Sequence, residues 1–532
     1  MSDIDDDDDL AHVRWWDDFE ITGKTEATRE KQRAEYLARL QKLYEYCRTD
    51  VEAERLAETK LYPLSPSERQ VYLLDQTIND RGISVDLETT RMALELVEKA
   101  GGRLNQRIAK ITDGFVTTLN QRDKMIQWFA MQGSHFTSLD KQGIVNALKD
   151  TSLPPQVREV LEIRQIGAKS STKKLQAILH MADSQGRIHG NLLYHGASTG
   201  RFSGKGVQLQ NLPRPEILKE PEDAIPYIQK GNIDLIEMCF GPVQTVAADV
   251  IRSLVMASEG KVLYAADFAA IEARVLAWLA GQQDLVDQFA NGDDIYCNFA
   301  SIIYNRPINK KNDPRARQLG KAAVLGLGFM LGAAKFVLTC AKDQIFLEEE
   351  EAKRIVTLYR ETYSQIPKLW YALERAAMRA ISNPNSVVTL RNLKFRMRDG
   401  NLRLLLPSGR ALNYPEARVC KVKTPWGEMR NGVEISAVNT LTRKWERTTI
   451  SPGTFTENVV QAIARDLMIS SMFRLEEHAY PVVLTVHDEV VSEVDAGYGS
   501  VAEYESLVAA TPDWAAGLPI KAEGWSGKRY RK

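Results

Sequence analysis

Two short apolar segments, far apart in the chain, are each predicted to form a strand that leads to an aspartate. No other feature of the sequence restricts the possible folds as much as this pattern. KVLYAAD (261–267) ends at Asp267 and runs directly into the apolar spacing of a helix. VVLTVHDEVVSEV (482–494) is broken by polar residues around Asp488, which predicts a β-hairpin with acids at its turn. A carboxylate beside buried apolar residues is costly unless it is paired or binds a metal.

A single aspartate of this kind is more often a turn former or a helix cap, and Asp267 has such an alternative as the cap of the following helix. Two of them on separate core strands favour a two-carboxylate metal site. Oxygen ligands of this type suit Mg²⁺, which is bound by one or two carboxylates together with substrate phosphates. A pair of such ions stabilises both the attacking and the leaving oxygen in phosphoryl transfer.

A predicted helix beginning near residue 315 carries Arg317, Lys321, Leu325 and Phe329 at intervals of four residues. Residues spaced in this way line one face of a helix. One interpretation is an amphipathic helix with a charged first turn. The other is that Arg317 and Lys321 hold a triphosphate while the two apolar side chains meet a sugar and a base.

Composition indicates a globular, membrane-free protein of 532 residues with a net charge of −1. Residues 1–20 contain nine acids and one base, which predicts a solvated acidic tail and leaves a mildly basic body. Five scattered cysteines without a CxxC pair argue against a disulfide framework or a zinc site. The longest apolar run, 322–334, is too short to span a bilayer, and the acidic N-terminus is unlike a signal peptide. We therefore expect a cytoplasmic protein.

The remaining patterns predict the order of the elements. The two prolines of 61–68 predict a boundary, and residues 87–182 are expected to be mainly helical, with Gly/Pro breaks at 101–102, 133 and 154–155. A long helical section is expected at about 283–385, followed by a basic, β-like stretch at about 388–425.

Five segments resemble, in order, the motifs of family A (DNA polymerase I-like) DNA polymerases. They are STGRFSGKGVQLQNLP (198–213), DFAAIEARVLAWLAG (267–281, motif A), RQLGKAAVLGLGF (317–329, motif B), ENVVQAIARDLM (457–468) and VHDEV (486–490, motif C). The resemblance covers about residues 63–532 and is closest to bacteriophage members. It implies a mixed α+β right-hand fold with thumb, palm and fingers, in which an antiparallel palm sheet carries the catalytic carboxylates.

The resemblance also implies a division of the chain. Residues 1–62 would be an acidic tail and a remnant of an exonuclease domain, and 63–185 the thumb with N-terminal palm elements. Residues 186–282 and 401–532 would form the two parts of the palm, and 283–400 the fingers, with the motif B helix at about 315–335.

The implied activity is template-directed addition of dNTPs to a primer 3′-hydroxyl in viral DNA replication, with release of pyrophosphate. Asp267, Asp488 and the backbone of Phe268 would bind two Mg²⁺ ions, for which Mn²⁺ can substitute, and Glu489 would support them. The remaining nucleotide contacts would be Arg317 and Lys321 on the triphosphate, Leu325 and Phe329 on sugar and base, Tyr296 near the phosphates, and Glu272 against a ribose 2′-hydroxyl.

Primer and template would be contacted near the new base pair by Arg201, Gln210, Asn211, Gln461 and His487, and thumb phosphates by Lys169, Lys173 and Lys174. Several of these residues also have a structural interpretation. Gln461 and Asn211 suit buried structural amides, His487 a core histidine, Glu489 a solvent-facing turn acid, and Glu272 an ordinary first-turn helix acid. The lysines suit a solvated helix face.

Several positions differ from the family pattern and predict a more apolar nucleotide pocket. The family usually has polar residues at 269 and 270, an aromatic at 325, tyrosine at 329, glycine at 330 and often histidine at 296. This chain has Ala269, Ala270, Leu325, Phe329, Met330 and Tyr296.

YCRTD (46–50) resembles the last motif of a proofreading exonuclease, but the 45 residues before Tyr46 contain no strand with Asp-x-Glu. We therefore expect Tyr46 and Asp50 to be vestiges, proofreading by this chain to be absent, and the exonuclease to be separately encoded or truncated away. The expected protein is a monomer that binds primer–template DNA and dNTPs. The alternatives are a single-subunit RNA polymerase and a catalytically silent DNA-binding protein on a polymerase fold.

Overall fold

A computed structural model describes residues 24–167, 171–424, 427–439 and 442–531. The predicted acidic tail and Lys169 lie outside these residues. The chain divides into two compact units, Met1–Gln70 and Val71–Lys532.

The helices agree in most places with the apolar spacing of the sequence. They are α1 (Glu26–Lys60), α2 (Pro66–Arg81), α3 (Leu87–Ile111), α4 (Arg122–Met131), α5 (Lys141–Ala147), α6 (Pro155–Gly167), α7 (Ser171–Met181), α8 (Ile225–Lys230), α9 (Ile233–Phe240), α10 (Val243–Val250), α11 (Ile271–Ala280), α12 (Gln283–Asn291), α13 (Ile295–Tyr304), α14 (Pro314–Leu327), α15 (Ala333–Lys342), α16 (Glu349–Thr362), α17 (Gln365–Ser382), α18 (Pro452–Glu477) and α19 (Val501–Ala509).

Among the residues that the structure describes, the strands pair antiparallel in five small sheets. They are β1 (Ile83–Ser84), β2 (Arg187–Ile188), β3 (Leu192–Leu193), β4 (Ser203–Gly204), β5 (Lys261–Phe268), β6 (Val388–Leu390), β7 (Leu393–Arg398), β8 (Asn401–Leu405), β9 (Ala411–Tyr414), β10 (Arg418–Lys423), β11 (Met429–Val438), β12 (Trp445–Ile450), β13 (Val482–Val486), β14 (Glu489–Asp495) and β15 (Ala522–Gly527). The β-rich stretch predicted at about 388–425 is thereby confirmed.

In the first unit, α1 is a 35-residue helix in which no residue is buried. Its N-terminus is capped by Thr25, whose side chain accepts a hydrogen bond from the Thr28 amide. Tyr46 and Asp50 lie on this helix and are exposed. The chain leaves helical conformation after Lys60, where the two prolines of 61–68 predicted a boundary.

In the second unit, the helical character predicted for 87–182 is confirmed, but the break predicted at Gly101 and Gly102 is wrong. Both glycines lie inside α3, where a side chain at either would face open space. Helix α3 buries Leu96 and Ala100 before the pair and Ile108 after it. Packing on both sides outweighs the roughly 1 kcal/mol by which a glycine disfavours a helix.

The central sheet has the order β13-β14-β5-β15 and is covered on both faces. Along β5, Leu263 and Ala265 pack into one apolar cluster while Tyr264, Ala266 and Phe268 pack into another. A strand buried on both faces has a nearly continuous apolar sequence. Charged residues in such a strand are therefore confined to its ends, which is where Asp267 lies.

The helix that carries motif B is shorter than the predicted 315–335, because α14 ends at Leu327. Phe329 therefore lies beyond the helix and does not share the face of Arg317. The Gly328 carbonyl accepts a hydrogen bond from the Trp370 indole at 2.7 Å, and Met330 has a left-handed φ of 66°. Left-handed backbone favours glycine, which explains why a glycine is usual at position 330.

Within the part of the chain that the structure describes, no helix is long and apolar enough to cross a membrane. The division of residues 71–532 into thumb, palm and fingers stays a prediction.

The buried Asp75 predicts a pH-dependent stability. Asp75 is 1% exposed, and burial raises its pKa from 3.8 to about 6, although Gln76 and Asn79 donate hydrogen bonds to it. The folded protein therefore keeps this proton between about pH 4 and 6 while the unfolded chain loses it, so ionisation destabilises the fold as pH rises. Relative to wild type, Asp75→Asn should gain up to about 3 kcal/mol in unfolding free energy between pH 4 and 7.5.

Urea denaturation at both pH values measures this difference. A stability difference that is the same at pH 4 and pH 7.5 would contradict the assignment.

Candidate active site

The two predicted strand-end aspartates lie together at one edge of the central sheet. Strands β13 and β14 form the predicted hairpin, with His487 and Asp488 as its two turn residues between the paired Val486 and Glu489. In the pairing of β14 with β5, Glu489 lies opposite Asp267. The Phe268 amide donates a hydrogen bond to the Asp488 carbonyl at 3.0 Å. Antiparallel pairing therefore joins two segments that are about 220 residues apart in sequence.

Asp267 does not cap the following helix, because the N-cap position of α11 is occupied by Ala270 in a left-handed conformation. That alternative is wrong. The turn at residues 269 and 270 instead places Glu272 in the first turn of α11, beside the aspartates.

Arg201 bridges two of these carboxylates. Its Nη2 atom donates to Glu272 Oε1 at 2.7 Å and to Asp488 Oδ1 at 3.3 Å. Burial raises the pKa of Asp488, the Arg201 charge opposes that rise, and the charges of Glu272 and Asp267 add to it. Two of the three neighbouring carboxylates, Glu272 and Asp488, therefore share one guanidinium. Excess negative charge of this kind suits a divalent cation.

Among the described residues, no three His, Cys, Asp or Glu side chains are arranged as a complete metal site. This is compatible with Mg²⁺, because this ion commonly takes only one or two protein carboxylates and completes its shell with water and substrate phosphates.

A buried network that the sequence analysis missed holds Arg201 in place. Arg465, on α18, donates from Nε to the carbonyl of Gly200 at 3.0 Å. Gly200 has a φ of 89°, and a Cβ there would lie 2.6 Å from the Arg410 guanidinium. Asp466 accepts hydrogen bonds from both Arg410 and Arg465. The sequence signal that could have revealed this network is the adjacent charged pair Arg465 and Asp466 in an otherwise apolar segment of α18.

Glu489 is 1% exposed and accepts a hydrogen bond from the Tyr530 hydroxyl. The interpretation of Glu489 as a solvent-facing turn acid is therefore wrong. Burial, followed by the nearby Glu489 charge, raises the pKa of Tyr530. Tyr530 was missed because its pairing with Glu489 joins segments that are distant in sequence.

Arg317 projects from α14 onto the N-terminus of α13. Its Nε donates to Asp294 Oδ2 at 2.6 Å, and its guanidinium lies 5.2 Å from the centre of the Tyr296 ring. Asp294 also caps α13 by accepting from the amides of Tyr296 and Cys297. Burial favours the neutral acid, but the hydrogen bonds from Arg317 and the amides outweigh it and lower the pKa of Asp294. An Asp before an apolar helical run is an N-cap signal that could have identified this residue.

Lys321 follows one turn after Arg317 on α14 and is partly buried, and Leu325 is exposed one turn further on. The predicted alignment of Arg317, Lys321 and Leu325 on one helix therefore holds. Phe329 is half-buried in the turn that follows the helix.

Three of the predicted DNA-contacting residues line one groove of about 280 Å³, together with Arg214 and Arg252. They are Gln210, Asn211 and His487. Asn211 and His487 are exposed, so their interpretations as a buried amide and a core histidine are wrong. Gln210 is buried and donates to the Thr485 carbonyl at 3.0 Å, which ties the groove to β13.

Gln461 and the two described thumb lysines have other neighbours. Gln461, on α18, is partly buried and donates to Glu457 at 3.2 Å. Lys173 is exposed, as a phosphate contact requires. Lys174 is partly buried and donates to the Val207 carbonyl at 2.5 Å, and burial lowers its pKa. Lys174 therefore anchors α7 in this structure.

Comparison with known proteins identifies the class. The family model of DNA polymerase family A matches residues 130–532. The DNA polymerase of Bacillus phage SP02 is 33% identical, covering 92% of this chain and 74% of that protein. The thermostable DNA polymerase I of Thermus aquaticus is 25% identical over 77% of this chain and 41% of its own length. DNA polymerase I of Lactococcus lactis strain IL1403 is 23% identical over 92% of this chain and 49% of its own.

The solved POL domain of Pol1 from M. smegmatis, a complex with DNA primer-template and dNTP, has a similar fold. Its TM-score is 0.56 at 18% identity, covering 85% of this chain and 68% of that one. The fold is thus similar to that of a polymerase domain. The chain belongs to DNA polymerase family A, whose members generally need divalent metal ions, and is a DNA-directed DNA polymerase. It spans about half or less of the length of the bacterial relatives named above.

Asp294 both caps α13 and pairs with Arg317, so we predict that removing one or both interactions lowers the free energy of unfolding in two steps. Asp294→Asn keeps an oxygen that can cap α13 but removes the charge that pairs with Arg317, so it should lower the free energy of unfolding by about 1 kcal/mol. Asp294→Ala removes both interactions and should cost about 2 kcal/mol.

Urea denaturation measures both values, with Asp293→Asn, at the adjacent position, as the matched control. Equal losses for the Asn and Ala variants would contradict the role as a cap and would show that only the ion pair with Arg317 matters.

Proposed function

We propose that this polymerase acts in viral DNA replication, joining the α-phosphate of a dNTP to a primer 3′-hydroxyl with two Mg²⁺ ions and releasing pyrophosphate. The observation that best supports this proposal is the pairing of β5 with β14, which brings Asp267 and Asp488 to one sheet edge beside Glu272. The similarity to a phage DNA polymerase supports the viral role and a place in the cytoplasm of a bacterial host.

Asp267, Asp488 and the backbone of Phe268 fit the metal ions, because two carboxylates and a main-chain group meet at one edge. Bound Mg²⁺ would stabilise the charge on the attacking and leaving oxygens. Glu489 keeps this edge in place through its hydrogen bond with Tyr530. The protein's own contribution is a rigid position for the carboxylates, since both strands are buried on their apolar faces.

Arg317 and Lys321 bind the triphosphate from one face of α14. Two cations one helical turn apart match neighbouring phosphates and neutralise negative charge as pyrophosphate leaves. Asp294 pairs with Arg317 in the structure, so the arriving phosphates compete with a carboxylate for this guanidinium.

Glu272 discriminates the sugar. Arg201 fixes its carboxylate at 2.7 Å, so the side chain occupies a defined volume at the start of α11. A 2′-hydroxyl in that volume would be excluded by contact with it. Leu325 and Phe329 supply an apolar surface without a hydroxyl, in line with the expected apolar nucleotide pocket.

The groove lined by Gln210, Asn211 and His487 receives the minor groove of the primer–template near the new base pair. Its donors can contact the acceptors that every correct base pair presents there, without selecting a sequence. The fold neighbour from M. smegmatis, a complex with primer-template DNA and dNTP, supports the same partners here. Arg201 would exchange one of its two carboxylate contacts for the primer terminus.

The two alternatives are less well supported. A single-subunit RNA polymerase would not need Glu272 beside the aspartates. A silent DNA-binding protein would not need Asp267, Asp488, Arg317 and Lys321 together. Monomeric state, partner proteins and the absence of proofreading stay predictions of the sequence.

Removal of the turn aspartate should abolish synthesis. In primer extension with dNTPs and Mg²⁺, Asp488→Ala should reduce kcat by about a thousandfold or more, since metal binding and charge stabilisation are lost together.

Asp495→Ala is the matched control, because Asp495 is exposed at the other end of β14 and should leave the rate unchanged. Extension by Asp488→Ala at the wild-type rate would refute the metal role, and no extension by wild type would favour the silent protein.

Sugar selection should depend on the volume of Glu272. Glu272→Ala should raise the rNTP-to-dNTP ratio of kcat/KM by about 10- to 100-fold, since space for a 2′-hydroxyl opens. Glu272→Gln is the matched control. It loses the charge and the ion pair with Arg201 but keeps the volume, so it should retain the discrimination. Equal ratios in wild type and Glu272→Ala would refute steric exclusion, and preferred rNTP use by wild type would favour the RNA polymerase.

A further inference from the structure

A cavity of about 400 Å³ lies beside Arg317 and Tyr296. Four cations and the acids Asp293, Asp294 and Glu523 line it, and of the cations only Arg317 has a part in the proposed function so far. Part of its wall is formed by the small residues Ala269, Ala270 and Gly292, where the family usually has larger polar side chains at the first two positions. Two lysines from separate parts of the chain also line it. They are Lys310 and Lys521.

Lys310 lies in the loop between α13 and α14, and several hydrogen bonds hold this loop in place. Asp313 accepts hydrogen bonds from the Arg306 side chain at 2.7 Å and from the Asn309 amide at 3.2 Å. The Ile308 amide donates to the Ser301 hydroxyl at 2.9 Å. Lys310 itself is exposed, and within the described residues it forms no salt bridge.

Lys521 lies just before β15, next to the turn that follows the metal-site strand. Its carbonyl accepts a hydrogen bond from the Ala269 amide at 2.9 Å, which fixes its backbone relative to that turn. Its ammonium pairs with Glu523 at 3.2 Å, but the two side chains are 54% and 70% exposed. An ion pair that open to water contributes little, so an arriving anion can displace it.

The two arginines that line the cavity are already assigned, Arg274 to backbone carbonyls and Arg317 to Asp294 and, in the proposed function, to the triphosphate. Arg274 donates to the carbonyls of Ala269 at 2.7 Å and Pro519 at 3.0 Å. Charge for an additional anion must therefore come from the lysines. Tyr296 stands where the family often has a phosphate-binding histidine, and its phenol is no cation.

We propose that Lys310 and Lys521 bind the β- and γ-phosphates of the incoming nucleotide and hold the pyrophosphate until it leaves. This rests on the proposed function and adds to it a polyphosphate subsite built from two elements outside motif B. The lysines supply the charge that position 296 lacks, and the alanines at 269 and 270 leave the space.

Single-nucleotide primer extension tests the subsite in Lys310→Gln and Lys521→Gln, with Lys311→Gln as the matched control. Lys311 is exposed on the same loop but does not line the cavity. Each of the first two variants should raise the KM for dNTP and the inhibition constant of inorganic pyrophosphate by about three- to tenfold, as expected for loss of one partly solvated charge contact. The kcat should stay within about twofold, because neither lysine touches the reacting α-phosphate.

Removal of the Glu523 carboxylate, which competes with phosphates for Lys521, should have the opposite effect on pyrophosphate binding. Glu523→Gln should lower the inhibition constant of pyrophosphate by about two- to fivefold, and most of this gain should vanish in the double variant with Lys521→Gln. The subsite is refuted if Lys310→Gln and Lys521→Gln behave like Lys311→Gln. Failure of wild type to extend the primer would instead overturn the proposed function itself.

Discussion

The antiparallel pairing of β5 with β14 is the constraint on which the rest of the site depends. It sets Glu489 opposite Asp267 and leaves Asp488 in the adjacent turn, so that the acids of two distant segments share one edge. Both strands are buried on two faces, and a shift of one residue would move every side chain from one apolar cluster to the other. The register that packs the core therefore also positions the carboxylates, and no separate interaction has to select it.

Two arginines of the site, Arg201 and Arg317, are paired with acids that a bound substrate would replace in the function we propose. Arg201 holds Glu272 and Asp488, and Arg317 holds Asp294. Unpaired charges in a partly buried site would be costly, whereas exchange of one anionic partner for another is nearly balanced. Arg201 keeps its place during such an exchange because Arg465 fixes the carbonyl of the preceding Gly200.

Local sequence signals predicted correctly which segments form helices and strands, but they predicted poorly where these elements are interrupted or end. The strand at 261–267, the hairpin around Asp488 and the helices of 283–385 are all present, because each has a strong apolar period or a turn signal of its own. The two errors have a common cause. Packing on both sides carried α3 through Gly101, and a hydrogen bond from Trp370 to Gly328 helped to end α14 before Phe329. Both outcomes depend on residues far away in sequence.

The sequence alone determined the chemistry that is available. It placed carboxylates at the ends of apolar strands, cations one turn apart on a helix, and the motifs in the order of the family. Only the tertiary structure decided which groups meet. It paired Arg201 with Glu272, Arg317 with Asp294 and Glu489 with Tyr530, and it brought Lys310 and Lys521 to one cavity. The hydrophobic periodicity of a sequence indicates the face of a helix or strand on which a residue lies. The side chains that this residue contacts depend on how elements distant in sequence pack together.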